Sequence, residues 1–219
     1  GLWVDQMQHD AEKKTEDSSK LHPLKLALEV QEVMTSNDWL VIDGGNTHFW
    51  SEIAINMAGW RGKKLKGILH PGAFSMLGVG VPFALATKLT HPEDNVVVIS
   101  GDGAFLSGGL SIEATFQEKA PITVVIDNNG GLTTISQQQE RLFGNNQHVA
   151  TDFRDIPFHS MFEGLGGHGE LVKSQEQLKP ALQRALECGK TACVNVHTQD
   201  AISPIVLATT NKRDKASIE

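Results

Sequence analysis

Two apolar runs, VVVIS at 96–100 and TVVI at 123–126, constrain the chain most, because their apolar residues do not alternate with polar ones. A half-solvated strand alternates, so such runs describe strands covered on both faces. Shorter β-rich runs recur on either side: WLVID at 39–43, GILH at 67–70, ELV near 170 and ACVNVH at 192–197. Helical stretches separate them, and strands alternating with helices predict an α/β fold. It is a doubly wound, mainly parallel six-stranded sheet with helices on both faces.

From Pro23 the apolar positions Leu26, Ala27, Val30, Val33 and Met34 trace one face of a first helix, with Pro23 suited to its first turn. The last helix has a capping-box pattern at Ser174 and Gln177, followed by Leu178, Ala181, Leu182, Ala185 and Leu186 at helical spacing. Pro180 conflicts with it, since an interior proline removes a backbone bond; the spacing therefore predicts a later start or a bend. The polar segment 1–21, centred on residues 5–20, predicts an arm or linker, 22–205 the folded domain, and 206–219 a polar tail frayed from about Thr210. With 219 residues, the chain buries enough surface to fold without a disulfide or structural metal.

In such a sheet ligands bind outside the carboxyl ends of the strands. The loops there read Gly44-Gly45-Asn46-Thr47, His70-Pro71-Gly72, Gly101-Asp102-Gly103 and Asn128-Asn129-Gly130-Gly131. A glycine-flanked turn opening a helix welcomes phosphate, yet the carboxylate of Asp102 would repel it. At ~4 Å and an effective dielectric of ~20, each like-charge pair costs ~4 kcal/mol. Phosphate there requires a cation, and magnesium, which takes oxygen ligands from protein and phosphate together, suits the place. Asn129 offers a second oxygen, and the glycines after it let a backbone carbonyl turn inward.

Each piece alone has an ordinary explanation: GDG as a strand-to-helix turn with an N-capping Asp, NNGG as a plain turn. Together they differ, because the 24 residues between GDG and NN hold one helix and one strand, a single parallel crossover that sets the two loops side by side. A Rossmann site, the rival of a different class, needs a third glycine where Phe83 and Leu106 stand, and no GxxxxGK[ST] loop occurs. A degenerate structural module is the other alternative, opposed by the intact Asp102 and Asn129.

The span GDGAFLSGGLSIEATFQEKAPITVVIDNNGG resembles the thiamine diphosphate signature. VIDGGNTHFW, GAFSMLGVGVPFALATKL and FEGLGGHGELVKSQEQLKPALQRAL resemble other parts of the C-terminal diphosphate-binding domain in acetolactate synthase, benzaldehyde lyase and 2-hydroxyacyl-CoA lyase. The resemblance covers roughly residues 22–205. It implies thiamine diphosphate and Mg2+ as cofactors, with Asp102, Asn129 and the Gly131 carbonyl as metal ligands. It also implies cofactor contacts from Gly44, Gly45, Asn46, Thr47, Gly101, Gly103, Ala104, Leu132 and Thr133. Leu77, with Met76 as its rival, falls at the apolar wedge that bends the cofactor, and the Ser75 carbonyl would accept from its 4′-amino group. Ala104 stands where these enzymes often carry Ser, and Asn46-Thr47 where synthases carry Gln-His.

The family activates its cofactor with a glutamate from a pyrimidine-binding domain of the same or a neighbouring chain. No counterpart is found here; Glu113 and Glu118 fall in the crossover helix. No catalytic residue is therefore assigned. The chain alone is expected to be inactive, an excised portion or a split subunit of an enzyme that decarboxylates or ligates 2-keto acids. Acetolactate synthase is the leading expectation, with a 2-hydroxyacyl-CoA lyase or 2-keto acid decarboxylase as alternatives. FAD is left open, and a homodimer or homotetramer is expected for the full enzyme. Of the histidines, His48 and His70 lie by strand-end loops while His168 sits in a turn away from them. Thr133, Thr134 and Gln137 follow the Asn129 loop, and the sequence leaves open whether they face a substrate.

A net charge of −7, with basic residues clustering only at 62–66 and 212–215, argues against nucleic acid as a partner. No apolar run reaches membrane-spanning length, and Cys188 and Cys193 lack metal-ligand spacing. The expected location is cytoplasmic.

Overall fold

The computed structural model describes residues 2–16, 20–144 and 147–208. Six strands form one sheet: β1 (Trp39–Asp43), β2 (Gly67–Leu69), β3 (Val96–Gly101), β4 (Thr123–Asn128), β5 (His168–Val172) and β6 (Ala192–His197). Their spatial order is β2-β1-β3-β4-β6-β5 and every pairing is parallel, so the sheet is wholly and not merely mainly parallel. The chain runs outward from β1 to β2 and then returns to β3 on the other side of β1. That reversal opens a crevice between the carboxyl ends of β1 and β3.

The helices are α1 (Leu2–Glu16), α2 (Pro23–Val33), α3 (Asn46–Trp60), α4 (Gly80–Thr90), α5 (Asp102–Gly108), α6 (Glu113–Gln117), α7 (Thr133–Phe143), α8 (Phe158–Gly164) and α9 (Gln175–Glu187). The unbroken apolar runs are explained by the two cores. Val97 and Ile99 of β3 face Leu26 and Val30 of α2 and Leu178 and Leu182 of α9. Val96 and Val98 point the other way, onto Val81 of α4, Phe105 of α5 and the fully buried Phe158 and Phe162 of α8. A strand clothed on both sides has no solvent face on which a polar residue would be favoured.

Three differences from the sequence reading have physical causes. The N-terminal segment is helical over 2–16, and Ala11 is buried against α2 and α3, with Met7 packed beside it. A sparse apolar face suffices because it closes over Trp50, Ala54 and Met57, already gathered by α2 and α3. Pro180 does not delay α9, which starts at Gln175 with both halves of the Ser174–Gln177 capping box formed; burial of Leu178, Ala181, Leu182 and Ala185 outweighs one lost backbone bond. A helical turn spans 204–208 and buries Val206, whose N–H donates to Ser203 Oγ, so ordered packing continues past 205. The frayed end expected from Thr210 lies outside the described residues. Cys188 and Cys193 are both free thiols.

His22 ties α2 to α3. It is 2% exposed, caps α2 by accepting from Leu24 N–H at Nδ1, and meets Trp50 edge to face. Burial, and secondarily Lys14, push its pKa from 6.5 down to about 4. The folded state therefore disfavours the charged ring, so its contribution is complete above pH 6.5 and is lost as pH falls toward 4. The loss is about 3 kcal/mol. Buried carboxylates with raised pKa values, such as Asp102, act in the opposite sense over the same range. The informative quantity is thus the difference between wild type and His22→Asn, which keeps a capping acceptor without the titration. Urea midpoints from pH 7 to 4 should show this difference shrinking; a constant difference would refute the assignment.

Candidate functional site

An open cleft of about 570 Å³ lies at the β1/β3 reversal. Of the residues expected there, Gly44, Gly45, Asn46, Thr47, Ser75, Leu77, Gly101, Asp102, Gly103, Ala104, Asn129, Gly131, Leu132 and Thr133 line it. Met76 does not: it is 64% exposed and lies off the cleft, leaving Leu77 as the apolar side chain at that wall. Gln137 is also outside the lining, held between the Asn46 amide and Asp200. His168 lies elsewhere, beginning β5 and paired with Glu170. Glu113 and Glu118 belong to the α6 region and reach no wall of the cleft.

Asp102 is the first residue of α5 and is 2% exposed. Its Oδ1 accepts from Gly103 N–H at 2.7 Å, and its Oδ2 accepts from Gly130 and Gly131 N–H, each at 2.9 Å. These bonds lash the loop after β4 to the loop after β3, the juxtaposition that the crossover spacing predicts. Burial raises the Asp102 pKa to about 7 despite those three donors, and the nearby Asp127 carboxylate adds to the rise. Ionised Asp102 thus calls for positive charge, yet no Lys or Arg is among the residues lining the cleft.

Asn129 supplies the complementary observation. Its Nδ2 donates to Thr133 Oγ1 at 3.4 Å, while its Oδ1 is buried and has no hydrogen-bond partner. A buried acceptor without a donor is costly by about 1–3 kcal/mol, and a cation would satisfy it. Gly131 follows at φ +158°, pinned by the pair of bonds Leu132 N–H to Thr151 O and Phe153 N–H to Gly130 O. These bonds leave its own carbonyl out, and a Cβ there would collide with the Thr151 carbonyl. At Gly103 a Cβ would meet the Leu132 Cδ2, a side-chain end that can turn aside, so glycine is less strictly required there. A carboxylate, a carboxamide oxygen and a backbone carbonyl are an oxygen donor set of the kind magnesium takes.

Two expected backbone donors are engaged within the protein. Gly103 N–H is held by Asp102, and Asn46 N–H donates to Thr134 Oγ1 at 3.1 Å. The Asn46 amide is used as well, donating to Gln137 and accepting from Ser203 N–H. Asn46 therefore fastens the loop after β1 to α7 and to the chain near 203.

Sequence reasoning missed two carboxylates because it searched loops, and both lie on strands. Asp43 ends β1 and accepts from Gly78 N–H at 3.0 Å and Gly80 N–H at 2.8 Å, which positions the 75–80 segment against the cleft. Asp127, fully buried in β4, accepts from Thr47 Oγ1 at 2.7 Å and from Thr198 Oγ1. Thr47 is thus a support beneath the cleft. Thr47→Val should destabilise the fold by about 1–3 kcal/mol by removing one of the donors to a buried carboxyl. A urea midpoint equal to wild type would disprove that role.

A protein-family model described as "Thiamine pyrophosphate enzyme, C-terminal TPP binding domain" matches residues 43–196. The chain belongs to the thiamine pyrophosphate enzymes. It carries the C-terminal cofactor-binding domain of that family, and the all-parallel six-stranded sheet agrees with it. A probable acetolactate synthase of Mycobacterium bovis is 33% identical over 201 residues, covering 90% of this chain and 35% of that protein. 2-Hydroxyacyl-CoA lyase 2 of Mus musculus is 31% identical over 197 residues, 89% of this chain and 29% of the lyase. A putative thiamine pyrophosphate-containing protein of Bacillus subtilis is 27% identical over 194 residues, 89% of this chain and 32% of its length. The chain thus spans about a third of each of these relatives. No helix among the described residues is long and apolar enough to cross a membrane.

Proposed function

We propose that the cleft binds the diphosphate of thiamine diphosphate through one Mg2+ held by Asp102, the Asn129 Oδ1 and the Gly131 carbonyl. The observation that carries this reading is the buried, partnerless Asn129 oxygen beside a buried carboxylate, in a cleft that no lysine or arginine among the described residues lines. Gly44, Gly45, Thr47, Gly101 and Ala104 line the phosphate end. Gly103, Leu132, Thr133 and Asn46 shape it through bonds they already make. Leu77 supports the bend of the cofactor, and the Ser75 carbonyl accepts from its amino group. Bound there, the thiazolium ring supplies a nucleophilic carbon for attack on a 2-keto acid; the residues of this chain bind, orient and exclude water.

The relatives favour a parent enzyme that decarboxylates or ligates 2-keto acids, most like acetolactate synthase, with a 2-hydroxyacyl-CoA lyase or keto acid decarboxylase as the second reading. Residues 22–205 correspond to the cofactor-binding unit. The glutamate that activates the cofactor belongs to a pyrimidine-binding domain, on the same chain or a neighbouring one in a cytoplasmic homodimer or homotetramer. Without it the domain binds and does not turn over. Large exposed apolar side chains on the 74–76 and 106–110 segments, Phe74 at 93% and Leu110 at 83%, support a covering partner.

Calorimetric titration of the chain with thiamine diphosphate should give saturable binding with Mg2+ and none without it. Saturable NADH binding together with none for thiamine diphosphate would overturn the proposal. Addition of the pyrimidine-binding half should restore carbon dioxide release from pyruvate.

A further inference from the structure

A second cluster in the same cleft lies apart from the Asp102 loop and has donors of another character. His48 and Glu52 are one turn apart on α3, and His70 follows β2. His48 is buried, Glu52 half-buried and His70 exposed, and one ligand atom from each lies within 4.8 Å of the others. His48 Nε2 and Glu52 Oε1 are 3.0 Å apart, and the two imidazoles meet edge to face at 5.3 Å. All three line the cleft, and no Lys or Arg lines it to balance Glu52.

We propose that His48, Glu52 and His70 form a binding site for a borderline first-row divalent cation such as zinc. Two donors bound at ~2.1 Å to one ion lie about 3.0–3.4 Å apart, which the His48–Glu52 pair already satisfies. Around a tetrahedral ion the donors are about 3.4 Å apart, so His70 must close by up to roughly 1.4 Å, a movement open to an exposed side chain. His70 Nδ1 now accepts a long 3.2 Å bond from Gly72 N–H, and the ion replaces that donor while Nε2 keeps its proton. For His48 to ligate through Nε2, the proton it shares with Glu52 moves by way of solvent to Nδ1, so the ring binds as a neutral imidazole and Glu52 as a carboxylate. Two imidazoles and a carboxylate select zinc, cobalt or nickel over magnesium, which prefers an all-oxygen shell. Three protein ligands leave a coordination position facing the cleft, where a substrate oxygen could bind. The inference does not rest on the thiamine reading, since it uses neither Asp102 nor Asn129.

The test is titration of the chain with Co2+, followed by its visible absorption, and with Zn2+, followed by calorimetry, both in excess Mg2+. One equivalent should bind saturably, and Glu52→Gln and His70→Ala should each weaken binding at least about tenfold with urea midpoints unchanged. His148, which touches Glu140 and Asp152, is the competing locus, and His148→Ala should leave binding intact. Absence of saturable binding, displacement by Mg2+, indifference to Glu52→Gln and His70→Ala, or loss in His148→Ala would each overturn the site.

Discussion

Asp102→Asn is expected to weaken magnesium-dependent binding of thiamine diphosphate by more than about 100-fold, an effect of about 3 kcal/mol. Two losses combine. The substitution removes the negative charge from the proposed metal shell, and it turns an amide NH2 toward backbone donors that now bond a carboxylate. Gly103 N–H holds one oxygen, and Gly130 and Gly131 N–H hold the other, so either amide rotamer opposes at least one N–H donor. The loop bearing Asn129 and Gly131 is then released together with the charge. Calorimetry at saturating Mg2+ reads the binding and a urea midpoint reads the fold. Affinity within about threefold of wild type would mean that Asp102 is only a strut between loops and that the cofactor is held elsewhere.

Phe158→Ala should cost about 3–5 kcal/mol of stability, among the largest single losses expected for the fold. The ring is fully buried, packs edge to face on Phe105 at 5.5 Å and lies in the core with Phe162. Phe105 belongs to the short helix that begins at Asp102, so the cavity left by Phe158 opens beneath the loop proposed to hold the metal. Cofactor binding should therefore weaken along with stability, whereas Leu182→Ala, in the core on the other face of the sheet, would affect stability alone. A change in midpoint below about 1 kcal/mol would show that the surrounding side chains collapse into the space, and the structural argument would fail.

Most of this architecture is legible in the residues. The runs VVVIS and TVVI announce strands covered on both faces, and β3 and β4 pack on both cores. The spacing between GDG and NN encodes one crossover, and Asp102 indeed bonds the loop after the next strand. The helix over 2–16 was hidden because its buried residues are few and depend on a surface formed by α2 and α3, far along the chain. Asp43 and Asp127 were hidden for a related reason. A carboxylate at a strand end looks like a polar boundary until its acceptors are seen to hold Gly78, Gly80 and Thr47 from distant segments. His48 and Glu52 are one turn apart on α3, but His70 follows β2, and no local pattern joins all three. Pairings made by neighbours in sequence can be read; pairings that need two elements to arrive at one place cannot.

The lack of lysine and arginine around the cleft has a consequence for how a holo form would behave in the cell. A phosphate clamp built on fixed guanidinium groups keeps its grip whatever the free metal concentration, and none among the described residues lines this cleft. On the proposed reading its sole electrostatic tether is an exchangeable ion, so chelators should strip the coenzyme during purification. Starvation for magnesium would then empty the enzyme long before the protein itself unfolds.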